Sequence, residues 1–370
     1  MKIVKVEPYV FKVPLVKPFR TFLAEVTTKD HLIIKIETDE GHVGLGEIGP
    51  LPEFAGESGA TCLSVTRDHL APAVLGQDPF NIGPILARME VAIKANHLVK
   101  SAIDFALHDL LGHILDIPVY KLLGGKYREK VPLCWVVSMK SLEETAKEAE
   151  EFAKKGYKCL KAKIGLDPKT DIERMRVIRE TVGNGVEIRA DANQAYSPDT
   201  AILVIKKLEK MDLDLQYVEQ PVPYWDIDGM AKVTKSVDTP ILADESIFSI
   251  HDAVTVVRRG AADMINLKVG KVGGLNVSKK IAAFAEAADI PCMVGSMLEI
   301  WIGTAAGAHF AVATKNVSYE CELIGPLYYT FDVVKEGYRY INGFLEVPDK
   351  PGLGIELDEE KLQKAMAGQI

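Results

Sequence analysis

The sequence predicts an α/β barrel preceded by a small α+β domain. Three observations carry that expectation. From residue 131 onward, short apolar segments alternate with amphipathic helical stretches, eight such segments can be counted, and an ionisable side chain ends five consecutive ones. Strands alternating with helices at this spacing imply parallel βαβ units. Eight such units close naturally into a barrel. An open doubly wound sheet is the competing architecture, but no G-x-G-x-x-G follows the first strand.

The elements follow in order. "IVKVEPYVFKV" alternates as a strand, and "HLIIKIETDEGHVGLGE" reads as a hairpin turning at Asp39-Glu40-Gly41. Between them "PLVKPFRTFLAEVTTKD", residues 14–30, reads as a loop carrying Phe19 and Phe22. A Gly/Pro-rich loop, "GPLPEFAGES", carries Phe54 and leads into helices. The clearest is 97–115, whose apolar residues recur at three and four before Pro118. Gly124-Gly125 bound a domain of residues 1–125. The eight strand candidates are then "VPLCWVVS", "KCLKAKIG", "VEIRADAN", "LQYVEQP", "PILADES", "DMINLKVG", "PCMVGSM" and "VSYECEL". The helix after the first of them has Ser141 to cap its start and Gly156 at its end.

Composition bounds the function. The chain of 370 residues is 48% apolar and 26% charged, as a globular protein should be, and its net charge of −8 argues against nucleic acid or an anionic membrane as partner. No apolar run is long enough to span a bilayer, and the N-terminus alternates rather than forming a signal segment. The five cysteines, 62, 134, 159, 292 and 321, are scattered without a C-x-x-C pair, the usage expected of reduced thiols in a cytoplasmic protein.

The chemistry sits where the strands end. Lys163 stands near the end of the second candidate, Asp191 of the third, Glu219 of the fourth, Asp244 of the fifth and Lys268 of the sixth, at spacings of 28, 28, 25 and 24 residues. Any one of these acids alone would be read as a helix cap. A charge recurring once per βα unit is what the C-terminal mouth of a barrel requires, because active sites of such barrels lie there. Lys161 and Lys163, two apart on one strand, would share the inward face. In an eight-strand ring, the second and sixth strands lie opposite, so Lys163 and Lys268 would face each other with three carboxylates on the arc between. Three oxygen ligands without histidine suit a hard cation, Mg²⁺ before Mn²⁺. Asn193 and Glu245 could cap helices or brace the ligands.

The segments "KAKIG", "RADANQAY", "VEQPV", "LADES", "NLKVGKVGG" and "GSMLE" resemble the barrel motifs of the enolase superfamily, in its muconate-lactonizing-enzyme subgroup. The resemblance extends to "GEIGPLPEFAGES" and to the tail "ELIGPLYYTFDVV". It implies a (β/α)7β modified TIM barrel over residues 126–320, with 321–370 completing the barrel and an α+β cap. It implies Asp191, Glu219 and Asp244 as Mg²⁺ ligands (Mn²⁺ as a substitute), and Lys163 and Lys268 as acid/base groups on opposite faces of a small carboxylate substrate. Lys161 would hold the substrate carboxylate, and Glu299 would bond the substrate or its lysine partner. A homo-oligomer is expected from the same resemblance.

The chemistry implied is removal of a proton α to a carboxylate, giving an enediolate that the cation and Lys161 stabilise. A base lysine must be neutral, so burial and nearby cations are expected to lower its pKa. Two opposed lysines permit racemisation or epimerisation, the reading favoured, on an amino-acid derivative. They also permit muconate-type cycloisomerisation and β-elimination. Dipeptide epimerases of the subgroup share an Asp-x-Asp before a Pro after the last strand, where this chain has Glu322 and Ile324, which counts against dipeptides. Trp301 could pack between barrel and cap or offer its face to a cationic substrate. Trp135 reads as core packing, and Phe19, Phe22 and Phe54 could close over the ligand. A lysine-imine aldolase would need no metal, and the three carboxylates speak against it. A non-catalytic barrel would not need all five charged positions.

Overall fold

A computed structural model describes residues 1–370. The first three strands, β1 (Ile3–Arg20), β2 (Glu25–Thr38) and β3 (Val43–Ile48), form an antiparallel sheet in that order. The turn between β2 and β3 falls at Asp39–Gly41, with Gly41 at φ +83°, which favours glycine. Residues 14–30 are not the loop expected. β1 runs on to Arg20, a tight turn at Thr21–Ala24 reverses the chain, and pairing resumes at Phe19–Val26 after a register shift beyond Pro14. Pro14 and Pro18 each remove a ladder donor, so the segment reads as broken in sequence although an edge strand tolerates the loss.

The helix His97–Leu115 forms as expected and ends at Asp116 in the left-handed region. It lies directly on β3. A Cβ at Gly44 or Gly46 would meet the carbonyl oxygens of Ala106 or Ala102 at 2.1 and 1.8 Å, so the sheet backbone touches the helix backbone.

After β4 (Lys130–Pro132), seven parallel strands stand side by side in chain order: β5 (Cys134–Val137), β6 (Cys159–Lys163), β7 (Glu187–Asp191), β8 (Leu215–Glu219), β9 (Ile241–Ala243), β10 (Met264–Asn266) and β11 (Cys292–Met293). A helix follows each. That after β5 opens on a reciprocal cap, Ser141 Oγ accepting from Glu144 N–H and Glu144 accepting from Ser141 N–H. The eighth candidate is reduced to bridges. Val317 pairs with Cys292 and Cys321 with Leu133, both parallel, so the segment closes the ring between β11 and β5. The result is a (β/α)7β barrel.

The tail ties the two parts together. β12 (Tyr340–Ile341) pairs antiparallel with β13 (Phe344–Glu346), which pairs antiparallel with β4, and Tyr329 bridges to Leu15 of β1. One apolar core runs through barrel, cap and tail. No helix is long and apolar enough to cross a membrane.

Candidate active site

The strand ends bring the predicted charges to one mouth. Lys163, Asp191 and Glu219 are the last residues of β6, β7 and β8 and stand in register across the sheet. Asp244 follows β9 directly, and Lys268 lies just past β10. All are buried, the three carboxylates completely. Lys161 and Lys163 both point inward. Lys163 Nζ donates to Asp191 Oδ2 at 2.6 Å, and Lys268 Nζ to Asp244 Oδ2 at 2.7 Å. Lys161 Nζ donates to Glu219 Oε2 at 2.8 Å and Glu322 Oε2 at 2.7 Å.

Each of the three carboxylates is held by an ammonium. The same carboxylates act on the ammoniums of Lys161 and Lys268. Burial works to lower Lys161, but Glu219, Glu322 and Asp191 outweigh it and hold the ammonium well above the ordinary value. Burial likewise opposes Lys268, and Asp244, with Glu219 and Glu245, raises it. Carboxylates simply lie closer to these ammoniums than other cations do.

The donor chemistry nonetheless fits a hard divalent cation. The three acids are oxygen donors without imidazole or thiolate among them. Their mutual repulsion is visible in Glu219. Burial first, and then the charge of Asp191, push its carboxyl up to about 8 despite Lys161. Glu245 is pushed up to about 7 by burial and by Asp244 and Asp191. Asp244 goes the other way: although burial opposes it, Lys268 and Lys271 hold its carboxyl far below the usual range.

The cavity above these charges is lined from the cap by Phe19, Thr21, Leu51 and Phe54, from the barrel by the two β6 lysines, Asn193 and Lys268, and from the tail by Glu322, Ile324 and Tyr328. Phe54 places its ring 4.3 Å from Lys268 Nζ, and Phe19 packs edge-on against Tyr328 at 5.2 Å. Asn193 sits at φ +41°, with its N–H on Asp191 Oδ1 and its amide on Glu245 Oε1, both at 2.9 Å. Both residues therefore brace the acids.

Other candidates lie elsewhere. Phe22 occupies the exposed tip of the β1–β2 turn, beside Gly165, and does not line the cavity. Trp301 begins the helix Trp301–Ala313 and packs between Tyr338 and Tyr340, at 5.8 and 5.2 Å, against Gly337. Its ring is tail packing, because the helix start turns it away from the mouth. Trp135 stacks on Phe152 and donates Nε1–H to Glu148. Glu299 is also off the cavity wall; its carboxylate accepts from Met297 N–H at 2.9 Å and from the Ser296 hydroxyl.

Sequence reasoning missed Lys271, and it took Glu322 only as a departure from the dipeptide-epimerase pattern, not as the partner of Lys161. The rule of one ionisable group per strand end, extended to the closing segment, points to Glu322. Lys271 donates to Asp244 Oδ1 at 2.8 Å, and nothing in "LKVGK" separates it from a rim lysine. Asn266 gives its amide to Glu219 Oε1 at 2.8 Å.

Comparison with known proteins agrees with this geometry. Residues 5–124 match the family model "Mandelate racemase / muconate lactonizing enzyme, N-terminal domain", and residues 144–361 match "Enolase C-terminal domain-like". The chain is 40% identical to the L-Ala-D/L-Glu epimerase of Bacillus subtilis over 96% of its own length and 97% of that protein's. It is 37% identical to the N-succinyl-L-Arg/Lys racemase of Bacillus cereus and 34% identical to muconate cycloisomerase 1 of Rhodococcus opacus, each over 98% of both chains. The substrate-liganded B. subtilis epimerase superposes with a TM-score of 0.93, covering 96% of this chain and 99% of that one. A dipeptide epimerase from Enterococcus faecalis, complexed with Mg and L-Leu-L-Tyr, is 38% identical and superposes at 0.92 over 96% of this chain and all of the other. With both family models matched and relatives aligned end to end, the chain belongs to the enolase superfamily, in its muconate-lactonizing-enzyme group.

Proposed function

We propose that this chain is a Mg²⁺-dependent racemase or epimerase that removes and returns the proton α to the carboxylate of an N-acylated amino acid. The observation that carries the reading is the placement of Lys163 and Lys268. They line one cavity from β6 and from just past β10, with β7, β8 and β9 between them, and each holds its own carboxylate. A planar intermediate between two such groups can lose a proton to one Nζ and gain one from the other.

Held among Asp191, Glu219 and Asp244, Mg²⁺ would supply the positive charge that offsets the second negative charge of the deprotonated carboxylate. For transfer, the lysine acting as base must be neutral and leave its partner, Lys163 from Asp191 or Lys268 from Asp244. The Cα–H bond breaks as that Nζ takes the proton, and a new Cα–H bond forms as the opposite ammonium gives one up. Lys161 offers a fixed positive charge beside the substrate carboxylate. Phe19 and Phe54 exclude water above the cavity, which strengthens each of these interactions.

The nitrogen substituent is read from the acids on the cavity wall. These are Glu53, exposed on the cap, and Glu322, whose carboxylate is already taken by Lys161. A free substrate ammonium would have to compete for Glu322, whereas an acylated nitrogen needs no anion. The name of the N-succinyl-L-Arg/Lys racemase fits that chemistry. A second reading, muconate-type cycloisomerisation, has the likeness to muconate cycloisomerase 1 behind it. Chiral chromatography after incubation with Mg²⁺ and a panel of N-succinyl- and N-acetyl-L-amino acids, L-Ala-L-Glu and cis,cis-muconate separates these. Appearance of the D-enantiomer of an N-acylamino acid is expected; consumption of muconate alone would overturn the proposal.

A further inference from the structure

One wall of the cavity is the segment between β11 and the helix Trp301–Ala313, through Ser296, Met297 and Leu298. It is not held by a strand ladder. Leu298 has φ +60°, a left-handed conformation that strains a side chain larger than glycine. Such strain persists only where the surroundings impose it.

Here the surroundings belong to other parts of the chain. Lys29 of β2, 3% exposed, donates its ammonium to the Met297 carbonyl. Tyr329 of the tail donates its hydroxyl to the next carbonyl, that of Leu298, at 2.6 Å. Gly49, just past β3, passes against both. A Cβ there would lie 2.6 Å from Lys29 Cε and 3.2 Å from the Leu298 carbonyl oxygen. Below, Glu47 of β3 accepts from the Gly303 N–H at 2.8 Å and pairs with His31 Nδ1 at 2.9 Å, and His31 packs edge-on against Tyr329 at 4.9 Å. Two consecutive carbonyls of a substrate wall therefore take their donors from the cap and from the tail.

A purely structural role for Lys29 fits poorly. Lys29 makes no salt bridge; Glu299 and Glu47 favour its buried charge from beyond ion-pair distance, and its direct partner is the Met297 carbonyl. An apolar side chain would fill the site without that desolvation cost. We propose that Lys29 is a positioning residue: with Tyr329 it couples the seating of the cap to the shape of the 296–298 wall, and so sets which substrate side chains the cavity accepts. The substrate half of this rests on the racemase reading; the coupling itself does not.

Hydrogen–deuterium exchange of the full chain, read by mass spectrometry, tests the coupling without any substrate. In Lys29→Met, amides within 297–303 should exchange about tenfold faster, with β6–β9 unchanged. Tyr329→Phe should do the same through the second donor, which keeps the test open should Lys29→Met fail to fold. On the N-acylamino acid that wild type turns over best, KM should rise about tenfold while kcat stays within about threefold, with Lys29→Arg recovering part of the loss. Unchanged exchange at 297–303 in the variants that fold overturns the proposal, as does a fall in kcat at constant KM. If wild type turns over no panel substrate, the racemase reading fails while the exchange result still decides the coupling.

Discussion

Asp244 is gripped from two sides, Oδ2 by Lys268 and Oδ1 by Lys271, with no exposure. Asp244→Asn leaves two buried ammoniums facing a neutral amide, and removing one partner of a buried ion pair costs about 3–5 kcal/mol. Urea unfolding should show that loss, and turnover should vanish with it. Trp301→Phe is the opposite case. The ring packs on Tyr338 and Tyr340, so stability should fall by about 1–3 kcal/mol while KM for any substrate moves less than about twofold. A large KM change in steady-state kinetics would return Trp301 to the substrate. At this scale the sequence was legible where a pattern repeats. Lys163, Asp191, Glu219, Asp244 and Lys268 are marked by one position per βα unit. Phe22, Trp301 and Glu299 lie in turns and helix starts, where no period says which way a side chain points. The ion pairs were illegible for another reason: which carboxylate each ammonium takes depends on distances across strands.

Strand β3 lies so close to the helix His97–Leu115 that Gly46 leaves no room for a methyl group, the nearest backbone oxygen being 1.8 Å from its would-be Cβ. Gly46→Ala must push strand and helix apart, at a cost of about 2–4 kcal/mol in urea unfolding, whereas Gly83→Ala, with open space around its Cβ, should cost less than about 1 kcal/mol. The helix itself and the Ser141 cap were legible from periodicity and capping residues. The β1–β2 hairpin was not, because prolines in an edge strand look like loop punctuation. The closing segment 317–321 was recognised as strand, but its pairing is only two bridges long. A local apolar pattern cannot report how much ladder the ring leaves available.

Across the whole molecule, the site's surplus of buried carboxylates links stability to pH and to cation. Glu219 and Glu245 are raised from an unfolded value of 4.5 to about 8 and about 7. The folded state therefore holds protons that the unfolded chain has released. The stability this brings is present at lower pH and is lost as pH rises through those folded values. His31, lowered mainly by burial, works the other way only below about 6.5, and Lys29, lowered by burial to about 8, only above that value. Between about pH 7 and 8, thermal unfolding without metal should shift down, and the rise in Tm on adding Mg²⁺ should be larger at the upper end by about 2–3 °C. A Mg²⁺ effect independent of pH would mean that Glu219 does not receive the cation. The central claim is proton transfer between two opposed lysines, and proton NMR in D₂O with Mg²⁺ and each enantiomer of an N-acylamino acid tests it most directly. Wild type should exchange the Cα proton of both enantiomers and interconvert them. Lys163→Ala and Lys268→Ala should each abolish interconversion, and any residual exchange should fall on opposite enantiomers in the two variants. Exchange by wild type that survives both substitutions, or none at all on any amino-acid derivative while cis,cis-muconate is consumed, would contradict it.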